Sequence, residues 1–221
     1  MRVTVISPHP DDETLGCGGT LLKHKESGDQ LDWIIVTRAH SPQWDTATLD
    51  RKESEITSVA KAYGFDQVVR LGFPTMQLDT LPLGNLISSI ADAVEKTTPD
   101  QLYLTHSGDI HSDHRLVFDA TMSALKAFNR NTSVTRLLSF ETLSSTEAAP
   151  ANASRAFVPN VFSDVTAFID RKLEIMSLYE TELQPFPLPR SLESIRALAR
   201  FRGATVGLEY AEAFMLIREL N

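Results

Sequence analysis

The stretch VTVISPHPDDE (residues 3–13) joins a short apolar run to a loop crowded with ionisable side chains. Residues 3–6 predict a buried strand, because the run is apolar and β-branched and is ended by Pro8 and Pro10. The same order recurs over residues 101–114, where QLYLT is followed by HSGDIHSDH. In an open parallel sheet, functional side chains lie in the loops beyond the carboxyl ends of the strands. Both loops are therefore candidates for a functional site.

Strand-like and helix-like segments alternate on either side of these two stretches. The expected strands cover 3–6, 31–37, 67–71, 101–105 and 134–140, and the expected helices cover 20–25, 49–63, 86–94 and 114–128. This alternation predicts βαβ units. We therefore expect an α/β fold with a Rossmann-like, doubly wound, mostly parallel sheet, built as a single domain over residues 1–221.

The remainder of the chain is less regular. Residues 143–156 are small and polar and predict an exposed loop. Residues 168–183 have the spacing of an amphipathic helix, and Ser191 is placed to cap another helix that runs to about Arg200. The tail over 210–218 is compatible with a helix or with a strand.

The composition of the 221-residue chain narrows the classes of function. Its 29 acidic and 21 basic residues give a net charge of −8. That balance argues against a nucleic-acid partner, because phosphate binding needs a basic surface. Cys17 is the one cysteine, so no intrachain disulfide can form. No segment has the apolar length of a membrane span, and the first apolar run is too short for a signal sequence, so we expect a cytoplasmic protein.

The two loops together hold four of the six histidines and five acidic residues. The three consecutive acids of residues 11–13 repel one another, and a helix N-terminus can offset that charge. A bound divalent cation accounts for these acids and also for the histidines near them. His9 and Asp12 lie three apart on a tight turn, and His114 from the second loop completes a set of three ligands. Three such ligands with an open fourth position are typical of catalytic zinc sites.

Further residues of the same loops have natural chemical roles. Asp11 can take a proton from a water molecule at the open position. His111 can donate a hydrogen bond or a proton to the developing oxyanion or the leaving amine; the alternatives are that it is the third ligand or caps the loop. Asp113 is expected to orient a histidine. His106 and Asp109 belong either to the site or to hydrogen bonding within the loop.

A run of glycines follows the first loop, as Gly16-Cys17-Gly18-Gly19. It lacks the G-x-G-x-x-G spacing of a dinucleotide-binding motif, and the carboxylates before it would repel a pyrophosphate. We interpret the glycines as allowing a helix to pack closely on a strand. A nicotinamide cofactor is therefore not expected.

At these residues the sequence resembles the PIG-L/LmbE-like zinc-dependent N-acetylglucosaminyl deacetylase family. The first motif of that family is present as PHPDDE (residues 8–13) followed by LGCGG (residues 15–19). The second motif, H-x-D-H, is present as HSDH (residues 111–114). Looser similarity extends to RKL (residues 171–173) and to GLEYAEAF (residues 207–214), so the resemblance covers most of the chain.

The resemblance implies that His9, Asp12 and His114 bind one Zn2+, that Asp11 is the general base and that His111 assists the tetrahedral intermediate. It also implies a substrate, namely an N-acetylated amino sugar on a nucleotide, a lipid or another aglycone, from which the acetyl or acyl group is hydrolysed. Members of this family are often multimeric, so the resemblance is also compatible with a homo-oligomer.

Two positions depart from the family pattern. Some members have a tyrosine two residues before the first histidine of the second motif, where this chain has Asp109. Another donor must stand in for that hydroxyl, or the reaction proceeds without it. Many members contact substrate through an arginine near the start of the second helix, where Arg51 and Lys52 both lie. Arg51 and Asp109 are the candidate substrate contacts, and for the two cations an exposed helix face is the alternative.

Two other functions are compatible with two histidines and one carboxylate. Non-haem iron oxygenases use such a triad, but usually on β-sandwich scaffolds rather than on βαβ units. A metal-containing sugar-binding protein without catalysis is the second. An open coordination position with a base beside it argues against that second function.

Overall fold

The computed structural model describes residues 1–126, 128, 133–150 and 152–221. The strands in this part of the chain are β1 (Arg2–Ser7), β2 (Gln30–Arg38), β3 (Gln67–Pro74), β4 (Gln101–Thr105), β5 (Arg136–Phe140), β6 (Val161–Asp164) and β7 (Ala211–Glu219). The helices are α1 (Asp12–Glu26), α2 (Thr46–Tyr63), α3 (Leu83–Thr97), α4 (Ser112–Ala124), α5 (Ile169–Met176) and α6 (Leu192–Ala204). A short 3-10 helix (Leu78–Thr80) lies between β3 and α3.

These strands lie in one sheet, in the order β3-β2-β1-β4-β5-β7-β6. Strands β1 to β5 pair in parallel, whereas β7 pairs antiparallel with β5 and β6. The predicted α/β class and the mostly parallel, doubly wound sheet are therefore confirmed. The strand order reverses between β1 and β4, and in open α/β sheets ligands bind in the crevice at such a point. Both ligand-rich loops leave the sheet at this crevice.

Helices cover both faces of the sheet, so neighbouring residues of a central strand are buried in different layers. In β2, Trp33 belongs to the apolar cluster that includes side chains of α1, α2, α5 and α6, whereas Ile34 belongs to the cluster that includes side chains of α3 and α4. Val5 and Ile6 divide β1 between the same two layers. Burial on both faces explains why these strands are apolar almost throughout.

Helix α1 begins at Asp12, well before the predicted start at Thr20. Glycine disfavours a helix, which is why the sequence pattern placed the start later. In the fold, a Cβ at Gly16 would lie 1.9 Å from the ring of Phe140, and one at Gly19 would lie 2.8 Å from Val165. The glycines therefore allow α1 to approach the sheet, as the sequence analysis inferred.

The last strands differ most from the prediction. The tail is strand β7, and its antiparallel pairing with β5 decides between the two alternatives left open. Strand β6 has no counterpart in the prediction, because VFSD is too short to show a period of two. Residues 143–156 contain turns and bends, as expected of a loop, and Ala151 lies outside the described residues.

The helices of the second half end at other residues than predicted. Helix α4 ends at Ala124 rather than at residue 128, and Ala127 lies outside the described residues. Helix α5 ends at Met176 instead of reaching residue 183. None of the helices in the described ranges combines the length and the apolar character needed to cross a membrane.

Candidate active site

Pairing of β1 with β4 places the two ligand-rich loops side by side. The first loop ends at Asp11, the residue before α1. The second ends at His111, whose Nδ1 caps α4 by accepting a hydrogen bond from the Asp113 backbone N–H at 3.2 Å. Both helices thus begin at the crevice, where the positive ends of their dipoles favour carboxylates.

The three predicted metal ligands meet in this crevice. His9 Nδ1 lies 3.2 Å from His114 Nε2. The two oxygens of the Asp12 carboxylate lie 3.3 Å from His114 Nε2 and 3.4 Å from His9 Nδ1. Ligand atoms bound tetrahedrally to zinc at about 2.0–2.1 Å are separated from one another by about 3.3 Å. The donor types and their spacing therefore fit a divalent cation of this kind.

A carboxylate behind each imidazole determines which ring nitrogen faces the other ligands. His9 donates from Nε2 to Asp113 Oδ2 at 3.0 Å, and His114 donates from Nδ1 to Asp109 Oδ2 at 3.1 Å. The lone pairs of His9 Nδ1 and His114 Nε2 are then free for a metal. Asp113 therefore lies where a histidine-orienting residue is expected, and Asp109 lies in the same relation to His114.

Asp109 is fully buried and is not among the residues that line the cleft described below. Its Oδ2 also accepts hydrogen bonds from the hydroxyls of Ser145 and Thr146, both at 2.9 Å, and its Oδ1 accepts one from the His111 N–H at 2.9 Å. Both oxygens are thus already bound, which points away from a substrate contact. His106 is outside the ligand cluster and donates from Nε2 to the Arg155 carbonyl at 3.0 Å.

In the absence of a cation, both ligand imidazoles favour the protonated form. Burial alone lowers the pKa of His9, but hydrogen bonds to Asp113 and Asp12 outweigh it and raise the pKa to about 8. Burial also lowers the pKa of His114, whereas Asp12 and Asp109 raise it to about 10. Burial raises the pKa of Asp12, but the two histidines hold it well below its usual range. A metal must displace protons from these imidazoles, because it binds the neutral ring.

His111 lies against the two ligand imidazoles, stacked on His114 with ring centroids 4.9 Å apart and 4.5 Å from the ring of His9. One nitrogen of each of these three rings lies within 4.8 Å of the others, so His111 is geometrically an alternative third ligand to Asp12. Its Nδ1, however, accepts a hydrogen bond from the Asp113 backbone, which leaves the ring proton on Nε2. Burial and the charges of His9 and His114 lower the pKa of His111 to about 4. A neutral ring with its proton on Nε2 is a donor, which is consistent with the prediction that Asp12, rather than His111, is the third ligand.

The three consecutive acids of the first loop have different partners. Asp12 contacts the two ligand histidines, and Asp11 accepts a hydrogen bond from Arg190 Nη1 at 3.0 Å. Glu13 accepts one from the Tyr179 hydroxyl at 2.7 Å, and burial raises its pKa to about 7. Each of the three carboxylates therefore has partners of its own, which offset part of their mutual repulsion.

Asp11 is buried, and Arg190, which holds it, was missed by the sequence analysis. Burial raises the pKa of Asp11 well above its usual range, the charge of Asp12 adds to this, and Arg190 opposes it. The two residues are 179 positions apart. No periodicity or motif marks Arg190, which follows an irregular proline-rich segment, so only the folded chain shows their contact.

Three residues around the site have left-handed backbone conformations that residues with side chains rarely adopt. They are Asp11 (φ 113°), Met76 (φ 60°) and Ser144 (φ 77°). The Met76 N–H donates to Asp113 Oδ2 at 2.7 Å, and Ser144 Oγ accepts from Arg190 Nε at 2.8 Å. Backbone strain of this kind persists where surrounding contacts impose it, and it is concentrated at functional sites.

A cleft of about 500 Å³ opens over the cluster, within the usual range of small-molecule sites. The three metal-ligand candidates, Asp11 and His111 all line it. Other side chains that line it include Trp44, Met76, Ile110, Lys52, Glu182 and Arg190. The cleft is therefore open to a ligand on the side where the proposed base and donor lie.

The choice between the two neighbouring cations of α2 follows from this cleft. Lys52 lines it, donates to Thr181 Oγ1 at 3.2 Å and pairs with Glu182. Arg51 is exposed and is not one of the lining residues. Lys52 is thus the cation of α2 within reach of a ligand in the cleft.

Comparison with known proteins identifies the family. The chain matches the PIG-L family, described as GlcNAc-PI de-N-acetylase, over residues 4–125, more than half of its length. The chain belongs to the PIG-L family. The matched span includes both ligand-rich loops, so the resemblance first noticed in PHPDDE and HSDH is confirmed.

Two sequence relatives of this PIG-L protein are deacetylases by name. It is 28% identical over 168 residues to the uncharacterized deacetylase YaiS of Escherichia coli K12, covering 74% of this chain and 81% of that protein. It is 25% identical over 232 residues to the diacetylchitobiose deacetylase of Thermococcus kodakarensis, covering 98% and 83% of the two chains. The crystal structure of the conserved protein TT1542 from Thermus thermophilus superimposes with a TM-score of 0.80 at 26% identity, covering 100% of this chain and 97% of that one. By family and by relatives, the chain is an enzyme of the deacetylase type.

Proposed function

We propose that this PIG-L protein hydrolyses the N-acetyl group, or a related N-acyl group, of an amino sugar or sugar conjugate. The observation that carries the proposal is the cluster of His9, Asp12 and His114, whose facing atoms lie 3.2–3.4 Å apart. Asp11 and His111 line the same cleft. Amide hydrolysis needs an electrophilic centre, a base and an oxyanion donor. The cluster would hold a metal ion as the electrophilic centre, Asp11 offers the base and His111 offers the donor.

Zn2+ is the proposed cofactor, held by His9 Nδ1, His114 Nε2 and the Asp12 carboxylate. Two imidazoles and one carboxylate form a common ligand set of catalytic zinc. When bound, such an ion lowers the pKa of a water molecule to roughly 7 and polarises an acyl oxygen. Asp113 and Asp109 support this assignment, because they hold the two imidazoles in the tautomers that it requires.

Asp11 is the proposed general base. Arg190 binds its Oδ2, and Oδ1 is free to accept a proton from the water that attacks the acyl carbon. His111 offers its Nε2–H to the oxygen that gains negative charge as that carbon becomes tetrahedral. The proton on Asp11 then passes to the nitrogen as the C–N bond breaks, which gives acetic acid and the amine. At neutral pH the proton of the acid is taken up by the amine, so the products are acetate and a protonated amine.

An N-acetylated amino sugar is the proposed substrate class because the description of the family and the name of a relative both specify such sugars. The family description specifies GlcNAc-PI, and a relative of 25% identity acts, by its name, on diacetylchitobiose. Trp44 and Lys52 in the cleft wall offer an aromatic face and a cation for such a ligand. A nucleotide, a lipid and another aglycone are the proposed carriers, and a homo-oligomer is compatible with all of them.

The test is acetate release from a panel of N-acetyl amino sugars, with free sugar, chitobiose and glycosides of lipid and nucleotide type. We expect release from at least one compound, its loss after treatment with a chelator, and its return with one equivalent of Zn2+. Release that is unchanged by complete removal of metal would contradict the zinc assignment. No release from any compound would contradict the proposed reaction.

The same preparation separates the two other functions compatible with the ligand set. An iron oxygenase would contain iron and consume oxygen in the presence of substrate. A sugar-binding protein would bind metal and N-acetyl sugar in calorimetry without releasing acetate. We expect neither result.

A further inference from the structure

Residues 184–190, here called the proline strap, form a closed loop between α5 and α6. The Gln184 N–H donates to the Arg190 carbonyl, and the Arg190 N–H donates to Gln184 Oε1, both at 3.3 Å. The strap contains three prolines, Pro185, Pro187 and Pro189. Each proline ring fixes its own φ angle and so stiffens the loop. Ser191 then caps α6 by accepting a hydrogen bond from the Ser194 N–H at 3.1 Å. The backbone of Arg190 is therefore held between a stiff loop and a capped helix.

The side chain of Arg190 extends from the strap to the proposed base. Its Nη1 donates to Asp11 Oδ2 at 3.0 Å and to Glu182 Oε2 at 2.8 Å. Its Nε donates to Ser144 Oγ at 2.8 Å. Because a guanidinium group is planar and its donors are rigidly arranged, these partners define its orientation. Asp11 thus meets a donor that other contacts already hold in place.

The carboxylate of Asp11 is bound on one oxygen and free on the other. Within the described part of the chain, Arg190 is the one side chain that donates a hydrogen bond to it. The backbone of Asp11 has a φ of 113°, so its side chain leaves the chain in an unusual direction. The bond to Oδ2 fixes the rotation of the carboxylate and with it the direction of Oδ1.

We propose that Arg190 is a positioning residue, which binds Oδ2 of Asp11 and thereby directs Oδ1 at the reacting centre. This inference rests on the proposed function, in which Asp11 is the general base. Glu182 contributes by accepting from both Arg190 and Lys52, so the Nη1 group that binds Asp11 is also held by a second carboxylate. A role in substrate binding and a role only in holding the strap are the alternatives that the experiment must exclude.

The first experiment compares Arg190→Gln with the wild-type holoenzyme on the best N-acetyl sugar of the panel. We expect kcat to fall roughly 100-fold, because a small displacement of a catalytic group costs about that much. KM, the zinc content and the affinity for the amino-sugar product, measured by calorimetry, are expected to stay within about 3-fold. Arg190→Lys keeps the charge without the planar group, and we expect its kcat to lie between the two.

A double-mutant cycle with Asp11→Asn tests whether Arg190 acts through Asp11. If it does, adding Arg190→Gln to Asp11→Asn changes kcat by less than about 3-fold, because residues that act as a unit are strongly non-additive. Multiplication of the two single losses would overturn the proposal. A rise in KM or in the product's dissociation constant with unchanged kcat would also overturn it, since Arg190 would then bind substrate.

Arg202→Gln is the matched control. Arg202 is likewise a half-buried arginine, and its two hydrogen bonds to Glu141, both 2.7 Å long, lie outside the cleft. We expect it to lower thermal stability as much as Arg190→Gln does while keeping kcat. Equal losses of kcat in both variants, or loss of zinc from Arg190→Gln, would overturn the positioning role. Absence of acetate release by the wild type would instead count against the proposed function.

Discussion

The two sides of the cleft are built in different ways. One side consists of the loops after β1 and β4, which place the proposed ligands within three residues of the start of the next helix. The other side consists of Ser144 and the proline strap, from a part of the chain where the sheet is antiparallel and the connections are irregular. The proposed metal ligands thus lie in two loops that neighbouring parallel strands bring together, whereas the orientation of the proposed base depends on contacts with irregular segments distant in sequence.

Removal of a ligand from the first side is expected to have the largest effect. His114→Ala should abolish zinc binding at equimolar metal and lower kcat/KM by roughly 10³-fold or more, because several kcal/mol of charge stabilisation is lost. His24→Ala is the control, since His24 also pairs with a carboxylate, Asp29, but lies outside the cleft. Full zinc content and activity in His114→Ala would show that the ligand set is wrong.

Asp11→Asn separates base from ligand within the same loop. We expect kcat to fall about 10²- to 10⁴-fold with zinc content unchanged. Asparagine is tolerated in left-handed backbone conformations, so the φ of 113° at this position is retained. The measurement is kcat together with metal analysis of the dialysed variant. Loss of zinc in step with loss of activity would make Asp11 a ligand instead.

The pH dependence of metal binding tests the electrostatics of the first side. The pKa values of about 8 for His9 and about 10 for His114 mean that both rings are protonated at pH 6 to 7 without a cation. Zinc binding then releases two protons, so affinity falls as pH falls, by roughly 100-fold per pH unit in that range. Calorimetry in buffers of different ionisation enthalpy counts the protons. Release of none between pH 6 and 7 would contradict this account of the two imidazoles.

A smaller effect is expected when the residue behind His114 is changed. Asp109→Asn should weaken zinc affinity about 10- to 100-fold, because carboxylates behind metal-bound imidazoles contribute by that amount. Asp29→Asn, which alters the carboxylate beside His24, is the matched control and should leave zinc affinity unchanged. A competition titration against a chromophoric chelator measures both. An effect of Asp109→Asn on KM alone would restore Asp109 as a substrate contact.

The smallest effect on catalysis is expected from a charge pair beyond the cleft. Lys172 Nζ donates to Glu212 Oε1 at 2.7 Å, and Glu212 also accepts from the N–H groups of Gly19 and Thr20 at 2.8 and 2.7 Å. Lys172→Met leaves this buried carboxylate without its cation and should destabilise the fold by about 3–5 kcal/mol. Denaturant unfolding measures that loss, and kcat at 25 °C should stay within about 2-fold. A large loss of kcat in folded protein would mean that the pair acts on the site.

The side of the cleft formed by the loops after β1 and β4 could largely be predicted from the sequence. Strands β1 and β4 were predicted because burial on both faces makes them apolar, and the ligand cluster because His9, Asp12 and His114 sit in loops that neighbouring parallel strands must bring together. The roles of these residues remain predictions. Their convergence within 3.4 Å is what the structure contributes.

The second side was not predictable by the same reasoning. Strand β6 has four residues, and the tail that forms β7 shows no period that distinguishes a strand from a helix. Arg190 has no neighbour in sequence that marks it, because its partners Asp11, Ser144 and Glu182 are brought to it by the fold. Asp109 was equally ambiguous, since only its hydrogen bond to His114 in the fold shows that it faces a histidine rather than the cleft.

Gly16 lies four residues after the first residue of α1, against the ring of Phe140 at the end of β5. Its missing side chain sets the depth at which α1 rests on the sheet, and Asp12 begins that helix. A methyl group at Gly16 would overlap the ring of Phe140, so the ring or the helix that begins with Asp12 would have to move. The position of Asp12, a proposed metal ligand, thus depends on a glycine further along the same helix, through the closeness of one helix–sheet contact.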